Sequence, residues 1–189
     1  MGGSPIDDDS TPMSPTNTDA DRLEATVGQR LADRGETLAV AESLTGGLVC
    51  SQLTDVPGAS EYLDRGVVAY SNRSKGALLA VPREALDADG AVSAAVARGM
   101  ARGIRDTAGA TWGLSTTGIA GPTGGTDTKP VGLVYVGVAY AAPWGTDASF
   151  VRAERHVFEG DREAVKTKSA TQALAALAGA IDAVDDASP

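Results

Sequence analysis

Apolar positions in this chain recur at different spacings from one segment to the next, and each spacing predicts an element. Leu23, Val27 and Leu31 repeat every four residues within 20–34, which predicts an amphipathic helix ended by Gly35. The run Thr-Leu-Ala-Val-Ala at 37–41 predicts a first strand, followed by a tight turn and a short helix over about 45–53. A second β-like run falls within 62–70. Ser71 or Asn72 can cap the next helix, which carries Lys75, Leu78 and Leu79 and stops at Pro82. Residues 83–91 are expected as a polar loop. Ser93 then caps a helix with Val96, Met100 and Ile104 spaced by four, ended by Gly109. A strand over 111–117, a glycine-rich loop over 118–130 and an alternating run over 131–140 follow. Pro143-Trp144-Gly145 turns the chain into a returning strand at 149–158, so the last two strands read as an antiparallel hairpin. Gly160-Asp161-Arg162 opens a long alanine-rich helix carrying Val165, Leu174, Leu177 and Ile181.

Helices interleaved with strands, closed by one hairpin, predict an α/β fold. The expected form is a three-layer α/β/α sandwich with a mixed, mainly parallel sheet and a C-terminal antiparallel hairpin. Ligands of such sheets bind beyond the carboxyl ends of the strands. Three loops therefore become candidates for one site: 43–47, 70–75 and 118–125.

Composition narrows the picture further. The 189 residues suit one domain, expected over 19–182, with a disordered leader at 1–18 and an acidic tail at 183–189. Of the net charge of −9, eight units lie within 1–21 and 182–189, leaving a body of 17 acids and 16 bases. That body offers no net attraction to nucleic acid or to an anionic membrane. No stretch approaches the roughly 20 apolar residues of a membrane span, and no signal-peptide pattern opens the chain, so a cytoplasmic location is expected. Cys50 is the single cysteine, which excludes an intrachain disulfide, and it reads as packing on the helix after the first turn. Asp outnumbers Glu 17 to 8 and Arg outnumbers Lys 12 to 4, the usage of salt-loving organisms. Lysine is thus scarce, and each one bears examination.

Candidate chemistry centres on Ala41-Glu42-Ser43-Leu44-Thr45-Gly46-Gly47. A strand running into a helix there would gather backbone N–H groups, the positive end of a helix dipole and the Ser43 hydroxyl. The alternative is that Ser43 or Thr45 is simply a helix cap. His156 is the single histidine and falls within the hairpin; it reads as structural or solvent-facing, which removes the usual base for a serine nucleophile. Lys75 emerges from the second strand near the same sheet edge and can act as that base if burial or a nearby cation makes it neutral. Otherwise it is a solvated helix lysine. Arg162 could supply the cation or hold a phosphate, and Tyr70 could relay a proton or stack on a ring. Gly118-Ile119-Ala120-Gly121-Pro122-Thr123-Gly124-Gly125 reads as an anion-binding ligand loop, with a plain connecting loop as the alternative. It fits neither a Walker loop nor a dinucleotide fingerprint.

Taken together, Ala-Glu-Ser-Leu-Thr-Gly-Gly at 41–47, Tyr-Ser-Asn-Arg-Ser-Lys at 70–75, Gly-Ala-Val-Ser at 90–93, Gly-Ile-Ala-Gly-Pro-Thr-Gly-Gly at 118–125 and Lys-Pro-Val-Gly at 129–132 resemble the CinA C-terminal domain family. The resemblance spans about 20–182. It implies an α/β/α sandwich and, for standalone members, an amidohydrolase that converts nicotinamide mononucleotide to nicotinate mononucleotide and ammonia. By motif, the family's nucleophile matches Ser43, its lysine base Lys75, its tyrosine Tyr70 and its arginine Arg162. Leu44 stands where cysteine is frequent in the family, and Thr117 where serine often stands.

The expected catalytic set is therefore Ser43, Lys75 and Tyr70, acting without metal or cofactor on a small-molecule nucleotide. Thr45, Gly46, Gly47, Thr117, Gly118, Ile119, Gly121, Gly124, Gly125 and Arg162 are the expected substrate contacts. Backbone N–H groups at 45–47 would hold the oxyanion, and the pyridinium ring would lie near Tyr70 or Glu42. Nucleic acid and membrane are excluded as partners, and a homo-oligomer is expected. The alternatives are a non-catalytic nucleotide-binding module and an amidase for another small carboxamide.

Overall fold

The computed structural model describes residues 22–187, so the leader, the first residues of the predicted opening helix and the end of the acidic tail lie outside the described residues. Helix α1 (Leu23–Arg34) buries Val27 and Leu31, and Gly35 ends it in the left-handed conformation. Strand β1 (Leu38–Glu42) leads through a turn to α2 (Leu48–Thr54). A short 3-10 turn at Ala59–Glu61 precedes β2 (Leu63–Val68). Ser71 caps α3 (Asn72–Leu79), as expected.

Residues 83–91 depart from the expected loop: Arg83–Asp89 form helix α4, with Pro82 at its N-cap. Pro82 does follow the end of α3, but its fixed φ also suits a helix start, and Leu86 is buried beneath it. Ser93 caps α5 (Ala94–Ala108) by accepting a hydrogen bond from the Val96 amide, and Gly109 ends it. Strands β3 (Trp112–Gly118), β4 (Leu133–Tyr140) and β5 (Phe150–Val157) follow. The final helix α6 (Arg162–Asp186) continues into the stretch expected as tail.

The strands form one open sheet in the order β2-β1-β3-β4-β5. β1 pairs in parallel with β2 and β3, while β4 is antiparallel to both of its neighbours. Four strands thus share one direction and β4 alone is reversed, with β4 and β5 forming the expected hairpin. The glycine-rich loop joins β3 to its antiparallel neighbour β4. β4 is buried on both faces rather than alternating, because it lies inside the sheet with helices on either side.

Two apolar clusters lie across the sheet from one another. Leu38 and Val40 of β1 join residues of α1, α2 and α6, whereas Ala39 and Ala41 join residues of α3 and α5. This alternation is the strand's period of two, and it gives the fold its three layers. α5 lies directly on the sheet backbone. A Cβ on Gly137 would stand 2.5 Å from the Ala97 carbonyl oxygen, and one on Gly113 would stand 2.1 Å from that of Ala101. Glycine at both positions permits this close approach, which brings the loop before α5 to the carboxyl end of β3.

Candidate active site

β1, β2 and β3 run in the same direction, and Glu42 at the end of β1 is level with Val68 of β2 and Thr116 of β3. The next residues of all three strands therefore meet at one edge. Ser43 follows β1, and its amide donates to the Thr116 carbonyl (3.0 Å). Ala69 and Tyr70 follow β2, and Thr117 and Gly118 end β3.

Lys75 reaches this edge from the first turn of α3. Ser71 and Ser74 form a reciprocal capping box, each side-chain oxygen accepting from the other's amide at 3.0 Å, which fixes where α3 starts. Side chains on a helix lean towards its N-terminus, so Lys75 points back over that cap. Its Nζ lies 2.9 Å from the Ala69 carbonyl, 3.1 Å from that of Tyr70 and 3.2 Å from Ser43 Oγ. Lys75 is 1 % exposed, Ser43 is 8 % exposed, and among the described residues no carboxylate pairs with the ammonium. Burial alone lowers the Lys75 pKa below its ordinary value. A neutral amine has two N–H donors and one lone pair. With the donors on the two carbonyls, the lone pair faces the serine hydroxyl.

The turn after Ser43 is built by Glu42. This fully buried carboxylate accepts from the amides of Gly47 (2.8 Å) and Val49 (3.3 Å) through Oε2, and from that of Cys50 (2.9 Å) through Oε1. The N-terminal amides of α2 thus already hold an anion of the chain's own. Glu42 faces α2 and does not line the cavity, so it is not placed to balance a pyridinium ring. Gly46 and Gly47 have φ of 64° and 102°, conformations that glycine adopts without strain, and α2 begins only at Leu48. Cys50 packs on α2 as expected, where burial and the Glu42 charge push its thiol pKa up.

A cavity of about 180 Å³ opens over Ser43 and Lys75. Of the expected residues, Ser43, Lys75, Tyr70, Thr117, Gly118 and Arg162 line it. Thr117 also donates its hydroxyl to the Ala91 carbonyl (2.7 Å), which pins the loop before α5 as a cavity wall. Arg162, at the start of α6, crosses the mouth: Nη1 donates to the Gly121 carbonyl (2.8 Å) and Nη2 to Tyr70 Oη (3.4 Å).

Thr45, Gly46, Gly47, Ile119, Gly121, Gly124 and Gly125 lie outside this cavity, each for a visible reason. Thr45 is buried with its hydroxyl 2.7 Å from that of Thr116, and the Gly47 amide is held by Glu42. Ile119 is bound back to the start of β4, its amide on the Leu133 carbonyl and its carbonyl on the Gly132 amide. Gly121 serves Arg162 through its carbonyl. Gly124 and Gly125 are exposed at the loop's tip, and Gly46 borders a second groove, towards Lys166 of α6. The remaining walls, Leu44, Ala91, Val92 and Ala120, carry no polar side-chain group for sequence reasoning to single out. A signal did mark them: Leu44 lies within the motif at 41–47, Ala91 and Val92 within that at 90–93, and Ala120 within that at 118–125.

His156 lies on β5 with its ring stacked on Phe158 and Nε2 3.3 Å from a Glu154 carboxylate oxygen, and it does not line the cavity. Among the described residues no group of three or more His, Cys, Asp or Glu could hold a metal ion, and no helix is long and apolar enough to cross a membrane.

A family model described as CinA C-terminal domain matches residues 20–181. A CinA-like protein of Anaeromyxobacter sp. (strain K) is 53% identical over 154 residues, covering 82% of this chain and 36% of its own length. A CinA-like protein of a Synechococcus strain is 51% identical over 156 residues, with the same shares. The chain thus spans about a third of the length of these curated relatives. Solved structures match along most of their length. A CinA superfamily protein from Klebsiella pneumoniae superposes with a TM-score of 0.77 at 34% identity, over 85% of this chain and 96% of that one. The competence/damage inducible protein CihA from Agrobacterium tumefaciens gives a TM-score of 0.79 at 33% identity, over 90% and 99%. With the sequence motifs, the sheet order and these likenesses in agreement, the chain belongs to the CinA C-terminal domain family.

Proposed function

We propose that the protein is an amidohydrolase that deamidates nicotinamide mononucleotide to nicotinate mononucleotide and ammonia, using Ser43 as nucleophile and Lys75 as base. The observation that carries this reading is the contact between Lys75 Nζ and Ser43 Oγ, made by a buried lysine that has no acidic partner among the described residues.

Ser43 Oγ attacks the carboxamide carbon as its proton passes to the Lys75 lone pair. The amide of Leu44, which lines the cavity, has no acceptor among the described residues, and the oxyanion falls to it rather than to Gly47. Lys75, now an ammonium, returns a proton to the departing nitrogen, and the C–N bond breaks to release ammonia. Water, deprotonated by Lys75, then attacks the acyl ester; the C–O bond to Ser43 breaks as Lys75 returns that proton to Oγ, and the acid product leaves, giving up its proton to solvent as the carboxylate. No cofactor enters any step.

A volume of about 180 Å³ is below the roughly 300 Å³ of a typical ligand site. It suits a carboxamide-bearing ring, with the ribose and phosphate outside, past Tyr70 and Arg162. The exposed Tyr70 ring supplies a face for the cationic pyridinium at the mouth. Assembly into a homo-oligomer through an outer strand, β2 or β5, belongs to the same reading, and sedimentation tests it.

Ammonia release from nicotinamide mononucleotide, at low and at multimolar salt, tests the activity. Release by wild type that collapses in both Ser43→Ala and Lys75→Ala supports it. Binding of the nucleotide without release in any salt would replace it with a non-catalytic binding module.

A further inference from the structure

We propose that the groove between α2 and the first two turns of α6 is the phosphate site, with Lys166 and Arg162 as its cations; this rests on the reading of the substrate as a nucleotide. The groove, of about 470 Å³, is lined by Leu48, Arg162, Glu163, Lys166 and Thr167. Arg162 also lines the cavity over Ser43, so the two spaces adjoin through one side chain. A nucleotide whose reacting ring fills the smaller space must send its other end out past Arg162.

The chain's lysines single out Lys166. Three of the four place Nζ on backbone carbonyls: Lys75 on Ala69 and Tyr70, Lys129 on Asp89, and Lys168 on Glu159. Lys166 alone has no hydrogen-bond or ion-pair partner among the described residues, although it is half-buried against the groove. It stands one turn after Arg162, the spacing that puts two helix side chains on one face. Lys166 Nζ also lies 3.8 Å from where a Cβ on Gly46 would stand, so it reaches the turn between β1 and α2.

A phosphate monoester, carrying between one and two negative charges near neutral pH, needs such a set of donors. Each terminal nitrogen of Arg162 keeps a second hydrogen beyond the bonds to Gly121 and Tyr70. The Lys166 ammonium has all three. Glu163 opposes an anion from the groove wall, and Asp161 stands at the helix cap, where its carboxylate accepts from the Ala164 amide. Two cations and the positive end of α6 face them. The glycine-rich loop, expected from sequence as an anion-binding ligand loop, contributes the Gly121 carbonyl that steers Arg162.

The test compares turnover of nicotinamide mononucleotide with that of nicotinamide riboside, which lacks the phosphate. Lys166→Ala should lower the preference for the nucleotide, as a ratio of kcat/KM values, by about tenfold, and Lys166→Arg should recover it. Lys168→Ala, whose lysine points to Glu159 instead, should leave the ratio within about twofold. An unchanged ratio in Lys166→Ala overturns the proposal. If wild type releases ammonia from neither compound, the amidase reading fails on its own, and calorimetry with ribose 5-phosphate decides the phosphate site. Binding weakened about tenfold by Lys166→Ala supports the site; no binding, or binding indifferent to Lys166, overturns it.

Discussion

Glu42 and Ser43 are consecutive residues whose side chains serve opposite faces of the sheet. Glu42 continues the face of Leu38 and Val40 and binds the amides that open α2; Ser43 continues the face of Ala39 and Ala41 and meets Lys75 from α3. The alternation of β1 therefore divides two tasks between neighbours. One carboxylate shapes the turn, and one hydroxyl faces the cavity.

Removing the Glu42 carboxylate should be costly. Glu42→Ala leaves the amides of Gly47, Val49 and Cys50 without their acceptor, a loss of about 3 kcal/mol or more at 1–3 kcal/mol for each unsatisfied buried group. Glu42→Gln keeps one acceptor oxygen but turns an NH₂ towards amides, so it should fall between. Urea unfolding checks both, and an alanine variant within about 1 kcal/mol of wild type would contradict this account of the turn.

Lys75 should write its burial into the pH dependence of stability. Its folded pKa lies below the ordinary 10.5 of the unfolded chain, so between those two values the unfolded state binds more protons. Stability then rises with pH across that interval, and the penalty for burying the ammonium is full below it. The difference in unfolding free energy between wild type and Lys75→Met should climb across the interval and level off above 10.5. A flat difference would mean that Lys75 has the same pKa folded and unfolded. Activity should rise with pH through the folded value, and Lys75→Arg, which cannot deprotonate, should be inactive.

Thr117 links the cavity floor to its wall. Thr117→Val removes the hydroxyl donated to Ala91 at similar volume, and should cost about 1 kcal/mol in stability and raise KM. Thr117→Ser keeps the donor and should retain KM within about twofold. Steady-state kinetics beside thermal melts separate the two effects. Equal KM in both variants would show that the loop at 90–93 stands without this bond.

Gly137 should resist any side chain, although it lies away from Ser43 and Lys75. A Cβ there meets the Ala97 carbonyl and Ser115 Oγ, each at 2.5 Å, so Gly137→Ala must lift α5 or bend β4. A loss of about 1–3 kcal/mol is expected. Because α5 follows the wall formed by Ala91 and Val92, turnover should drop as well, even at temperatures where the variant stays folded. Melting curves and ammonia release at low temperature check this.

Much of this arrangement was legible in the sequence because it is local. The caps Ser71 and Ser93, the stops Gly35 and Gly109, and the strand-to-turn junction at Ser43 all act within a few residues of themselves. The meeting of Ser43 with Lys75 followed from strand direction. What escaped depends on distant partners. The glycines of 118–125 reveal a backbone free to bend, but not that the Ile119 amide is taken by Leu133 or that the loop's tip turns to solvent. Thr45 looks like a ligand contact until Thr116, far along the chain, claims its hydroxyl. Helix α4 is hard to read from the sequence because few apolar residues mark its seven positions.

Apart from its contact with Ser43, Lys75 is moored to the peptide groups of residues 69 and 70 and to no other side chain among the described residues. Every amino acid brings the same carbonyl, so drift at either position leaves both moorings in place so long as β2 and the cap of α3 keep their path. Mutational fragility is thereby concentrated on Ser43, Lys75 and the glycines and caps that set the backbone. A change of ring at Tyr70 would cost the contact from Arg162 but leave the carbonyl that holds Lys75 in place.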